Sequence, residues 1–339
     1  MQGLRAAITS CAVWSAVGAA ATVDELRPKY ARVKGDIETV WQRPPGEPKG
    51  VLFVAHGCQH QGTDIFAERG SDGWDFRECR QSNLGRCLGL PEEVDLRRAA
   101  RRRGYVVMAV SGGWGMKSCW DMYEDPQRVV EAIDHVLVAE RLDKNSPVLA
   151  TGASSGGAFM GALLAPALTH GLNVRCIVPQ IMGIRTSRSD DHKVPVLFIH
   201  MPKDTRTASK VENNIRDLRA RGVRAEEIRV KATPVTPQLL ARAGLDNGQA
   251  AAVVEALRAD GYVDVDGFLR EDPRSSAWRG VVRRHVPSKQ DSLVADESAI
   301  SELLNVAWAK HEFVSGYTEE LLDFCEAPQA SAGTTTTEL

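Results

Sequence analysis

The chain alternates between apolar blocks and amphipathic ones. Continuous apolar runs occupy 50–55 and 105–110, further buried strands are expected at 147–150, 174–182 and 194–200, and short strand candidates stand at 37–41 and 227–231. Runs that are apolar throughout, instead of alternating with polar residues, mark strands buried on both faces of a parallel sheet. Helical periodicities separate them. Val129, Val130, Ile133, Val136 and Leu137 fall on one face of 127–142, Phe159, Met160, Leu163 and Leu164 follow Gly157, and 206–221 has the same character. This alternation predicts an α/β architecture, a mostly parallel central sheet with helices on both faces. Residues 22–35 read as a polar lead-in. The arginines of 97–103 read as the water-facing side of a short amphipathic helix before the strand at 105–110.

The rhythm breaks between 232 and 297. Pro234 and Pro237 open this segment, 250–259 is helical, and the Gly- and Asp-rich stretch 261–269 predicts a hairpin or tight turn. A helical pattern returns at 300–310, and a last amphipathic helix carries Tyr317, Leu321, Leu322 and Phe324. The expected organisation is a core over 22–231, a helical insertion over 232–297, the end of the core over 298–326, and a disordered threonine-rich tail over 327–339. No internal repeat is visible.

With 339 residues, 43% of them hydrophobic and 25% charged, the chain is long enough for a large core. A formal net charge of −2 argues against a nucleic-acid surface. No apolar stretch is long enough to span a bilayer, so no stable membrane insertion is expected. Arg5 precedes a mildly apolar run, 6–21, that ends in Gly18, Ala19, Ala20 and Ala21, which is the pattern of a secretory signal. Thr9, Ser10 and Ser15 interrupt the run, so an organelle transit peptide or a plain helix stays open. Cys11 lies in this segment, and the other six cysteines form an even set, four of them between 58 and 119. Disulfides in a secreted or endomembrane compartment account for that density, with plastid and cytoplasm as alternatives. Cys58 is expected to pair with Cys119, because loops after parallel strands emerge at one edge of the sheet. Cys79 is expected to pair with Cys87 across a short, turn-rich loop. No C-x-x-C pair exists, so neither a metal nor another cofactor is expected.

The candidate chemistry centres on Gly152-Ala153-Ser154-Ser155-Gly156. A G-x-S-x-G turn between a buried strand and an apolar helix lifts a serine hydroxyl above the sheet, with the helix N-terminus beside it. Ser155 would need a glycine at 153, where alanine stands, so the register selects Ser154. Asp204 follows the strand at 194–200 and is the candidate acid, although a helix cap is the competing role for it. Asp190 and Asp191 precede that strand and are poor candidates. Two histidines follow Asp204. His285 reads as part of a surface turn in the insertion. His311 stands in the loop before the last helix and is the candidate base. The His56-Gly57-Cys58 turn would offer the Cys58 amide to an oxyanion, opposite the Ser155 amide. His56 is read as a brace of that turn, Cys58 as no second nucleophile, and His60 as a residue lining the substrate pocket.

These stretches resemble a little-characterised plant and algal group of α/β-hydrolases. The likeness is carried by His56-Gly57-Cys58 with His60, Cys87-Leu88-Gly89-Leu90-Pro91-Glu92-Glu93, the Ser154 turn, and His200-Met201-Pro202-Lys203-Asp204-Thr205. Asp260-Gly261-Tyr262-Val263-Asp264 and the segment from Leu304 to Glu312 extend it, so that it covers roughly 45–326. A more distant resemblance to extracellular polyester depolymerases and feruloyl esterases rests on the H-G-C turn and on Cys119-Trp120. It implies ester substrates by analogy. The expected function is a serine hydrolase of a small-molecule or polymer carboxylic ester, acting through an acyl-enzyme, with the insertion as a lid. The alternatives are a peptide or acyl hydrolase, a non-catalytic ligand-binding or receptor protein on the same fold, and an interaction module in the insertion. The sequence specifies no oligomeric state.

Overall fold

A computed structural model of the chain describes residues 26–70, 73–113, 119–185, 192–286, 293 and 297–328. The signal-like segment 1–21, Asp190, Asp191 and all but the first two residues of the 327–339 tail lie outside the described residues.

The strands are β1 (Lys29–Val33), β2 (Ile37–Gln42), β3 (Gly50–Ala55), β4 (Tyr105–Val110), β5 (Val148–Ala153), β6 (Val174–Gln180), β7 (Val196–His200) and β8 (Ala225–Arg229). They form one eight-stranded sheet in the order β1-β2-β4-β3-β5-β6-β7-β8. β1 and β2 pair antiparallel, as do β2 and β4, and every pairing from β4 to β8 is parallel. Helices α1 (Pro91–Arg102), α2 (Asp125–Ala139), α3 (Ser155–Thr169) and α4 (Thr205–Ala220) connect the parallel strands. Side chains alternate along each strand. Val51, Phe53 and Ala55 of β3 therefore join Val129, Phe159 and Val211 of α2, α3 and α4 in one core layer. Leu52 and Val54 join Leu96 of α1 and Leu321 of α9 (Thr318–Glu326) in the other. Burial on both faces is why these strands read as unbroken apolar runs. This strand order, with parallel crossovers on both faces and a serine turn after β5, is the α/β-hydrolase fold.

Between β8 and α9 lie α5 (Pro237–Ala241), α6 (Asn247–Ala259), α7 (Arg279–His285) and α8 (Ala299–Trp308). They form a third core around Leu240, Val253, Leu257, Trp278 and Val282, which Ile300, Leu303 and Leu304 of α8 share. The 261–269 stretch closes on itself through a bridge between Val263 and Leu269.

Some expectations need correction. The polar lead-in of 22–35 contains β1, an edge strand whose one buried residue is Val33, so its exposed side chains hide it from an apolar pattern. Arg97 and Arg101 do not face water. Each is less than a tenth exposed. Arg97 donates from Nη1 to Gln42 Oε1 at 2.6 Å and lies over the Phe66 ring, and Arg101 donates from Nε to the Arg43 carbonyl at 2.9 Å. A long guanidinium stem buries well once its donors are satisfied. His285 is exposed, as expected, but it does not stand in a turn. It is the last residue of α7, with Nδ1 donating to the Val281 carbonyl at 3.0 Å.

Disulfides join Cys58 to Cys119, Cys79 to Cys87 and Cys176 to Cys325, with Cα separations of 4.3, 5.4 and 5.3 Å. The first two are the expected pairs. The third ties β6 to α9, a pairing that only the fold brings together. No helix among the described residues is long and apolar enough to cross a membrane.

Candidate active site

β5 ends at Ala153 and α3 starts at Ser155, so Ser154 alone makes the turn, at φ 53° and ψ −111°. Positive φ is costly for a residue with a Cβ, and such strain persists only where neighbours over-determine it. Here they do. The Ser154 amide donates to the Gln180 carbonyl at 3.1 Å, and the Ser154 carbonyl accepts from the Ala158 amide at 3.0 Å. Gly156 lets the helix start against β3: a Cβ there would lie 2.3 Å from the Ala55 carbonyl oxygen and 2.5 Å from that of His56. A Cβ on Gly152 would lie 2.7 Å from the Gly156 backbone.

His311 follows α8, which ends at Ala309 in a left-handed conformation. Its Nδ1 lies 2.9 Å from Asp204 Oδ2 and its Nε2 lies 3.1 Å from Ser154 Oγ. A carboxylate only accepts, so it selects the Nδ1–H tautomer and leaves Nε2 to accept the serine proton. Asp204, just past β7, also caps α4. Its Oδ1 accepts from the Thr207 amide at 3.1 Å and its Oδ2 from the Thr207 hydroxyl at 2.7 Å. The cap role and the histidine contact therefore coexist. Burial pushes the Asp204 carboxyl up, but the donors from Thr207 and His311 outweigh it and hold the group below the usual carboxylate range.

The loop after His311 is tied at several points. The Val314 amide donates to Gln180 Oε1 at 3.1 Å, and the Ser315 amide and hydroxyl donate to Glu92 Oε2 at 2.6 and 2.7 Å. Gln180 thus holds the Ser154 turn with its carbonyl and the histidine loop with its side chain.

The His56-Gly57-Cys58 turn is braced from three sides. His56 Nδ1 donates to the Gly57 carbonyl at 2.7 Å, His56 Nε2 accepts from the Gly112 amide at 3.0 Å, and Trp120 Nε1 donates to the His56 carbonyl at 2.9 Å. Burial pushes the His56 imidazole down to about 4, so it is neutral and structural. Cys58 and Ser155 each stand next to the segment where the Gly156 backbone meets Ala55 and His56, and the bond to Cys119 anchors Cys58. His60 lines a cavity of about 490 Å³ with Gln61, Ser111, Gly112, Arg32 and Arg128. Ser154 is not among the residues lining that cavity. Burial alone would lower His60, but Asp64, Glu93 and Glu312 outweigh it and hold it above its ordinary value.

One feature was not foreseen. Glu92 and Glu302 are buried and Glu93 is half-buried, in a group with Glu312, the residue after His311. Glu92 and Glu93 stand in the first turn of α1, where acids also complement the helix N-terminus. The signal that could have found Glu312 was its place beside the candidate base.

No protein-family model matches this chain, and no curated protein matches it in sequence. Among solved structures, it is similar to an esterase of Pyrobaculum calidifontis, at 17% identity over 60% of this chain and 75% of that one, with a TM-score of 0.41. It is also similar to a Bacillus cereus carboxylesterase, at 13% identity over 58% and 86%, TM-score 0.39. An arylesterase is similar at 12% identity over 60% and 75%, TM-score 0.40. These neighbours are esterases, and the α/β-hydrolase fold of this chain is read from its own strand order and from the turn after β5.

Proposed function

We propose that this chain is a serine hydrolase that cleaves a carboxylic ester through an acyl-enzyme. The supporting observation is the hydrogen-bond chain from Ser154 Oγ through the His311 ring to Asp204, built from three separate loops at the ends of β5, α8 and β7. Ser154 attacks the ester carbonyl while His311 Nε2 takes the hydroxyl proton, and the alcohol leaves with that proton. Water then hydrolyses the acyl-serine with His311 again acting as base. Asp204 holds the imidazole tautomer and stabilises the imidazolium. The amides of Cys58 and Ser155 donate to the tetrahedral oxyanion, and His60 lines the substrate side. The 232–297 insertion acts as a lid: it leaves the sheet after β8 and returns just before His311. Disulfides agree with a secreted or lumenal protein, and the substrate is a small-molecule or polymer ester, as the plant and algal resemblance and the more distant depolymerase likeness suggest.

Turnover of p-nitrophenyl acetate and labelling by a fluorophosphonate probe test this reading. Ser154→Ala loses both while keeping the wild-type melting midpoint, His311→Ala loses nearly as much turnover, and His285→Ala loses little. Undiminished turnover in Ser154→Ala discards the assignment.

A further inference from the structure

We propose that the insertion positions the base, through Arg274 acting with Glu312 as a clamp on the backbone at His311. This rests on the serine-hydrolase reading of Ser154, His311 and Asp204. Arg274 lies in the insertion between the 261–269 turn and α7. Its Nη2 donates to the His311 carbonyl at 2.5 Å and to Glu312 Oε2 at 2.8 Å. Asn305 Nδ2 of α8 donates to the same Glu312 oxygen at 2.9 Å, and the Phe313 amide donates to Glu312 Oε1 at 3.1 Å. One guanidinium thus grips the base residue's own carbonyl, and the carboxylate beside it is held from three directions. Lys310, on the other side of His311, pairs with Asp272 of the insertion at 3.0 Å. The two neighbours of His311 in the chain, Lys310 and Glu312, are therefore both fastened to the insertion, while the loop beyond them is tied to β6 and α1. The His311 side chain is itself about a third exposed, so its backbone anchors take a large share in aiming the ring.

Both bonds leave Nη2, whose two hydrogens serve one oxygen each, and the planar guanidinium fixes their directions, whereas a lysine ammonium must place its freely rotating donors from a shorter stem. The Glu312 side chain is about a fifth exposed, and burial pushes its carboxyl up to about 7 against the pull of Arg274 and Asn305. The groups that face it are Arg274 of the insertion, Asn305 and Glu302 of α8, Glu93 of α1, and His60 of the loop after β3. Glu93 opposes its ionisation, while Arg274 favours it. The sign follows directly. Above about 7 Glu312 is charged and the clamp complete. Below that it takes up a proton, and its charge-assisted bond to Arg274 weakens. Activity thus carries the deprotonation of Glu312 on its acid side in addition to what the serine–histidine chemistry requires, and the acid limb of log(kcat/KM) against pH is steeper than one proton gives.

The experiment follows p-nitrophenyl acetate hydrolysis from pH 5 to 9 in wild type, Ser154→Ala, Arg274→Gln, Arg274→Lys, Glu312→Gln and Arg284→Gln. Arg284 is an exposed insertion residue paired with Asp260 and serves as the control for a lost insertion charge. Arg274→Gln lowers kcat about tenfold to a hundredfold, with KM changing far less, as expected for a misaimed base. Arg274→Lys recovers part of that loss. Glu312→Gln reduces the acid limb to a slope of one proton. Arg284→Gln matches wild type throughout. If Arg274→Gln keeps wild-type kcat while Ser154→Ala is inactive, the clamp is wrong and the hydrolase reading stands. An Arg284→Gln loss as large as that of Arg274→Gln also overturns the clamp, since the insertion's charge alone would explain both. If Ser154→Ala is as active as wild type, the underlying reading fails and the clamp falls with it.

Discussion

At the scale of single residues, the serine turn shows how narrow the backbone requirements are. Gly156 is needed because α3 starts in contact with the end of β3, not because of its own torsions. Gly156→Ala would drive a methyl group to 2.3 Å from the Ala55 carbonyl oxygen, and backbone cannot yield as a flexible side chain does. The expected cost is about 1–3 kcal/mol of stability, read as a lower urea midpoint, with Ser154 labelling slowed as the turn is displaced. An unchanged midpoint would mean that α3 can shift away from β3. Asp204 offers a cleaner chemical test. Asn keeps the acceptor that caps α4 but presents an amide to the imidazole, and so favours the wrong tautomer. On the proposed mechanism, Asp204→Asn loses about 10³- to 10⁴-fold in kcat with little change in melting. A fall in melting with intact kcat would leave Asp204 as a helix cap only.

Among the elements, α1 and α8 meet through carboxylates instead of apolar side chains. Glu302 Oε2 on α8 accepts from the Glu92 amide of α1 at 3.1 Å, and the Glu302 carboxyl lies beside that of Glu93. Two buried carboxyl groups in contact cannot both ionise cheaply, so the pair holds a proton. Burial first, and then the charge of Glu93, push Glu302 well above its ordinary value. An acid with a raised pKa contributes stability that is present at acid pH and is lost as pH rises through its native pKa, because the unfolded chain releases the proton earlier. Glu302→Gln keeps the acceptor for the Glu92 amide and has no proton to lose. The variant is expected to melt close to wild type near pH 4.5, about where the unfolded carboxyl ionises, and to gain a growing advantage as pH rises above that. A difference in melting midpoint that stays constant with pH would show that the pair does not share a proton.

Over the whole molecule, the disulfides divide into local and global restraints. Cys79–Cys87 closes a sequence separation of 8, whereas Cys176–Cys325 closes 149 and fastens the last helix to the middle of the sheet. In the chain-entropy account the longer loop is worth about 2–3 kcal/mol more. Replacing both Cys176 and Cys325 by alanine should therefore lower the urea midpoint more than the double replacement of Cys79 and Cys87. Equal losses would mean that the unfolded chain is already compact around α9.

Local patterns decided much of the architecture. The central strands were legible because a strand covered on both faces must be apolar at every position, and the helices because one face of each meets the sheet. The Ser154 turn was legible because its chemistry needs small residues at fixed offsets. Asp204 and His311 could be ranked as candidates by chain order, since each follows a recognisable element. Cys58–Cys119 followed from which loops share an edge of the sheet, and Cys79–Cys87 from the short, turn-rich loop between them. What stayed hidden has the opposite character. β1 escaped notice because an edge strand needs few apolar residues, and Arg97 and Arg101 because a charged side chain buries wherever its donors find acceptors, which depends on partners far away in sequence. Cys176–Cys325, the Glu93–Glu302 pair and the Arg274 grip on His311 all join segments separated by tens to hundreds of residues. Short-range periodicity carries no record of such meetings. They exist because the sheet, its helices and the insertion close upon one another, and only that closure sets how buried, and therefore how charged, these groups are.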